Sequence, residues 1–199
     1  MSYEEALRLQ EEERYEEANQ MFMKLQNSNL QAAIILAVNI YSGLGIAKDR
    51  ARSYDIFERI INRTQNLRAI EIYSKFRYQD QDIFLPSVSE AERYESMTRA
   101  FTLLEFAVVF GSQDFEVYLC LGRCYESGYG TISDKNKAIE YYQIALQLTP
   151  HDNVQIILLF KIGRLQLFNT NTLEKAIKNL QISAERGNTA AYVYLGRIF

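Results

Sequence analysis

Three arginines in this chain each follow a glycine, in Leu121-Gly122-Arg123, Ile162-Gly163-Arg164 and Leu195-Gly196-Arg197. A guanidinium is a planar fork of donors, and its chemistry is the capture of carboxylate or phosphate through paired hydrogen bonds. Other reactive types offer less. Cys120 and Cys124 stand four apart, so on one helix their side chains run roughly parallel, a poor geometry for a disulfide. The single histidine, His151, follows a helix end some distance away, so the pair lacks metal-ligand partners and reads as small core residues. These residues compose no Ser/His/Asp or Cys/His arrangement, and no catalytic residue, metal site or cofactor is expected. Neither Gly-x-x-x-x-Gly-Lys-Ser/Thr nor Gly-x-Gly-x-x-Gly occurs, so nucleotide binding has no support. The carboxylates of Glu11 to Glu13, Glu16 and Glu17 fall on exposed helix faces, where they solvate.

The elements that must position the arginines are helices. Apolar residues recur at i, i+3, i+4 and i+7 almost throughout, and no segment keeps the alternation of a strand. The pattern predicts helices over residues 3–12, 14–26, 30–42, 49–62, 66–78, 90–110, 113–127, 134–148, 153–168 and 173–186, with a last one starting near Asn188. Glycine at 43, 45, 128 and 130 supplies the positive φ that reverses the chain, and Asp49 and Asp134 are placed as N-caps. Pro150 stops the helix before it. The stretch from Gln79 to Glu90, with Ile83, Phe84 and Leu85 beside Pro86, breaks the pattern as an insert, a functional loop or a plug covering the convex side.

Composition narrows the classes. The 199 residues are 48% hydrophobic, with 14 tyrosines and 11 phenylalanines, enough for a sizeable core in one domain or one continuous solenoid. The 22 basic and 25 acidic residues are interspersed and leave a net charge of −3, which argues against a nucleic-acid surface. The N-terminus lacks the regions of a signal peptide, and the apolar runs at 32–38 and 156–160 are far short of a membrane span. The expected location is the cytoplasm, or outside the cell by a route that reads no N-terminal leader.

The chain also repeats itself. Tyr125-Glu-Ser-Gly128-Tyr-Gly130 leads into Asp134, Lys137-Ala138, Tyr141-Tyr142 and Ala145; a degraded copy lies 85 residues upstream as Ser42-Gly43-Leu-Gly45 and Asp49. With Leu121-Gly122 ahead of it, the 117–145 stretch resembles a Sel1-like repeat of the tetratricopeptide-type superfamily. The unit from Leu36 departs at Ala37, Ile40 and Ser53; the unit from Gly163 replaces the glycine pair by Asn169 to Thr172. The resemblance implies an all-α, right-handed α-solenoid of antiparallel helix pairs. Its expected divisions are a tetratricopeptide-like hairpin at 1–28, repeats at 29–64, 65–111 (with the insert at 79–92), 112–148 and 152–187, and an incomplete repeat or capping helix at 188–199.

In such repeats the residue after the Leu-Gly glycine lies on the concave side of the first helix. The resemblance therefore implies that Arg123, Arg164 and Arg197 align as a ladder along one groove, with Tyr118, Leu119, Phe160 and Phe168 supplying apolar contacts. A ladder of this kind reads an acidic or C-terminal-carboxylate peptide; alternatively, each arginine pairs with a neighbouring carboxylate such as Glu126. The expected function is a non-catalytic scaffold or adaptor for a protein or peptide partner, in signalling or host interaction, without nucleic-acid or membrane partners. A different class is a regulatory subunit that docks on one enzyme through residues 79–90. Ile198 and Phe199, read as exposed on the last helix, point to homodimerisation through that end.

Overall fold

A computed structural model describes residues 2–80, 88–167 and 170–198, and everything regular in them is helical. The helices are α1 (Tyr3–Glu11), α2 (Tyr15–Leu25), α3 (Leu30–Ser42), α4 (Arg50–Thr64), α5 (Leu67–Gln79), α6 (Glu90–Val109), α7 (Phe115–Ser127), α8 (Lys135–Leu148), α9 (Asp152–Gln166), α10 (Leu173–Glu185) and α11 (Thr189–Leu195). Most predicted ends fall within two residues of these. The last helix is shorter than its sequence suggests, and most of the predicted insert, residues 81–87, lies outside the described residues.

The ends follow from local chemistry. Asp49 accepts from the Arg52 amide at 2.9 Å, and Asp134 from those of Asn136 and Lys137 at 2.9 and 3.1 Å, as N-caps do. Ser89 and Glu92 form a reciprocal capping box that starts α6 at the end of the insert. At the end of α8, Thr149 turns to extended backbone ahead of Pro150.

Packing divides the chain into two compact units, residues 1–73 and 74–199, with the division inside α5. In each unit the main packing partner of a helix is its neighbour along the chain: α1 on α2, α2 on α3 and α3 on α4 in the first; α6 on α7 and onward to α11 in the second. In the first unit, Phe57 of α4 stacks on Tyr73 of α5, with ring centroids 5.5 Å apart. A buried amide chain crosses α1, α2 and α3. Asn39 donates to Gln10 and to Asn19, both at 2.8 Å, and Asn19 donates to the Leu44 carbonyl at 2.7 Å. In the second unit Lys75 bridges Asp114 and Glu116 at 2.6 and 2.7 Å, tying the end of α5 to the start of α7.

Small residues sit where helices approach closely. Ser53 stands where the best-matching repeat has Ala138, and its hydroxyl donates to the Ala37 carbonyl at 2.8 Å, so this departure from the repeat pattern gains a bond between α3 and α4. The second glycine of each Gly-x-Gly turn does more than reverse the chain. A Cβ on Gly45 would lie 2.4 Å from the Cβ of Tyr15 on α2, and one on Gly130 would lie 2.2 Å from the Met97 carbonyl oxygen on α6. In both places the loop after one helix rests on the backbone of an earlier helix.

Gly130→Ala therefore combines left-handed strain, roughly 1–2 kcal/mol, with a backbone clash of about 1–3 kcal/mol. Gly111 has the same sign of φ, +82°, and open space around it, so Gly111→Ala should show the strain alone. Urea unfolding of the two variants tests this: equal losses of stability would refute the close approach at Gly130.

Candidate functional site

The site is built on α7. A Cβ on Gly122 would fall 2.4 Å from the ring of Tyr142, so the glycine lets that ring lie flat on the α7 backbone. One turn further along, the fully buried Tyr142 donates its hydroxyl to Oε2 of Glu126. The same oxygen accepts from Nζ of Lys161 on α9 at 3.0 Å, and Oε1 of Glu126 pairs with Nη2 of Arg164, one turn beyond Lys161. The carboxylate is thus a hub joining α7, α8 and α9, with its side chain 13% exposed against 20% for Lys161 and 31% for Arg164.

Arg123 stands on α7 one turn before Glu126. It hydrogen-bonds the Tyr78 hydroxyl near the end of α5, and its charge reaches Lys161. Burial, and then the nearby Arg123, hold Lys161 below the usual lysine range. Burial pushes the phenols of Tyr78 and Tyr142 well above theirs, so both remain neutral donors. Two cations bond the Glu126 carboxylate, a third, Arg123, stands near Lys161, and Nε of Arg164 is buried without a hydrogen-bond partner.

Two of the three expected arginines therefore meet at one place. Arg197 is exposed beyond the end of α11, over the ring of Tyr194 at 5.9 Å. Tyr118 belongs to the core: it is 7% exposed, and its hydroxyl donates to the Ser112 carbonyl at 2.8 Å. Leu119 is half-buried, and Phe160 packs edge-on against Tyr194 at 5.5 Å beside the buried Leu180, Ala184 and Ala191. Phe168 lies outside the described residues, as does Phe199, while Ile198 packs partly buried against that same Leu180 cluster. The outward apolar side chains of α11 are instead Tyr192 and Val193.

Lys161 and Tyr78 escaped the sequence reading. The available signal was spacing: Lys161 precedes Arg164 by three, as Arg123 precedes Glu126, so each pair shares a helix face. Cys120 and Cys124 are buried and free, and burial pushes the Cys120 thiol up to about 12 and that of Cys124 still further, which makes both poor nucleophiles. Where the glycine pair is missing, Thr172 donates to the Gln166 carbonyl at 2.9 Å, and the buried Gln166 side chain accepts from Asn179 at 3.0 Å.

Paired helices, small residues at their crossings and glycine turns resting on an earlier pair define a helical-repeat protein. The Sel1 repeat family model matches residues 30–63, 118–149 and 171–188, so the chain carries Sel1-like repeats over those stretches. No curated protein matches it in sequence. Its structure is similar to that of a Sel1 repeat protein from Oxalobacter formigenes, with TM-score 0.68 and 18% identity over 98% of this chain and 74% of that one. It is also similar to c5321, a protective antigen present in uropathogenic Escherichia coli strains that displays an SLR fold, with TM-score 0.64 and 20% identity over 92% of this chain. The chain spans 37% of that protein's length. MamA from Desulfovibrio magneticus RS-1 is similar with TM-score 0.60 and 18% identity, over 94% of this chain and 95% of that one. At these identities the likeness is one of fold: an all-α solenoid of antiparallel helix pairs. Repeats of this type generally mediate protein–protein interactions. No described helix is long and apolar enough to cross a membrane.

If Glu126 is the hub, removing one of its donors must cost stability. Tyr142→Phe keeps the ring on Gly122 and deletes the hydroxyl. It should lose about 1.5–3 kcal/mol, the usual worth of a hydrogen bond to a charged group. An unchanged urea midpoint would show that the contact carries no weight.

Proposed function

We propose that this protein is a non-catalytic interaction scaffold that binds an acidic segment of a protein partner on the face formed by α7 and α9. The observation that carries the reading is the charge imbalance there, with Lys161 and Arg164 sharing the Glu126 carboxylate and Arg123 beside Lys161. Partly buried guanidiniums with donors to spare favour a further carboxylate or other anion. The repeat fold favours a protein as its source. The setting we assign is signalling or host interaction, in the cytoplasm or after export; the resemblance to a protective antigen of uropathogenic strains supports the second.

A randomised peptide display selected on the intact chain, and on an Arg123→Gln/Arg164→Gln double variant of unchanged helical content, tests this. The intact chain should enrich Asp- and Glu-rich peptides, and the double variant should lose that enrichment. Enrichment of neutral or basic peptides, or an acidic preference kept by the variant, would overturn the reading.

A second reading, self-association, is favoured by Tyr192 and Val193, which are 58% and 54% exposed on one short helix. Solution mass should rise with protein concentration, and Val193→Asp should abolish the rise. Monomer behaviour at the highest concentrations reached would rule it out.

A further inference from the structure

We propose that the Arg123–Lys161–Arg164 cluster receives a phosphorylated side chain of the partner, with the phosphate seated beside Glu126; this rests on the reading of the α7–α9 face as the binding surface. The argument begins with donors. Oε1 of Glu126 takes Arg164, and Oε2 takes both Lys161 and Tyr142. That leaves the remaining terminal N–H groups of Lys161 and Arg164, and those of Arg123 not engaged by Tyr78. Donors from three side chains suit a group with three acceptor oxygens better than a carboxylate with two.

Charge points the same way. Two cations share the Glu126 carboxylate and a third, Arg123, repels Lys161, so positive charge is in excess at the cluster. A phosphorylated side chain carries about −1.5 to −2 near neutral pH, where Asp or Glu carries one negative charge. The cations are also partly withdrawn from water, and Lys161 feels that loss together with repulsion from Arg123. In such surroundings an added dianion is screened less than at an open surface. Arginine clusters recognise phosphorylated motifs through these same terms. Nucleic acid is the weaker source of phosphate, because the chain has a net charge of −3 and no basic stripe.

The test uses the intact chain labelled with ¹⁵N-arginine and two short probes, acetyl-Ala-phosphoSer-Ala-amide and acetyl-Ala-Glu-Ala-amide. The phosphopeptide should shift the Nε–H signals of Arg123 and Arg164 saturably, at a concentration at least about tenfold lower than the Glu peptide. Lys161→Met should weaken the phosphopeptide about tenfold, and Glu126→Gln should strengthen it, provided the circular dichroism of each variant matches the parent chain. Equal affinity for the two probes would overturn the phosphate inference and leave the acidic-segment reading standing. Silence of both probes would overturn both. Shifts that Lys161→Met leaves unchanged would place the phosphate elsewhere. Binding to vesicles containing phosphatidylinositol phosphate, with no response to the phosphopeptide, would replace the protein ligand by a lipid headgroup.

Discussion

At Gly130 any side chain would have to share space with the Met97 carbonyl oxygen, and at Gly45 with the backbone of Tyr15. The rest of the architecture depends on that constraint, because helix pairs can stack only as closely as the loop between them allows. With no Cβ in the way, the loop meets the earlier helix backbone directly and the flanking apolar faces close. Ala100, Ala107, Ala138 and Ala145, all fully buried, repeat the solution at the helix crossings. Tight packing of this kind makes dispersion contacts dense and voids few.

The same economy positions the charged cluster. Because Gly122 has no side chain, the Tyr142 ring lies on α7 and its hydroxyl reaches Glu126. Glu126 in turn fixes Lys161 and Arg164 on the next repeat's first helix. A half-buried carboxylate with one cation would be a neutral strut between repeats. With a second and a third cation nearby, the strut carries excess positive charge, and on the proposed reading an incoming anion would meet cations already held in place.

Much of the fold was legible in the sequence. The helix pattern, the glycine turns and the caps at Asp49 and Asp134 are local signals, fixed by backbone conformation and by amides within one turn. What the sequence did not carry was which face each side chain takes once helices from different repeats meet. Tyr118 reads as a surface aromatic, yet its hydroxyl finds the Ser112 carbonyl and the ring is buried. Arg197 shares the Leu-Gly-Arg signature of Arg123, but lies past the end of α11 over Tyr194, since α11 stops at Leu195. Lys161 carried no motif and became visible only as a partner of Glu126, 35 residues away. Long-range pairings are set by packing, which local patterns do not encode.

Packing in which each helix leans mainly on its chain neighbours also has a kinetic side. Contacts between helices adjacent along the chain close short loops first, which takes little entropy before it is repaid and favours rapid folding. Order can begin at the best-formed pair, α7 and α8, and spread outward helix by helix. Opening would run in reverse from the least supported elements. The short α11 would detach at a smaller cost than the α7–α9 face, which could stay assembled while the margins of its unit breathe.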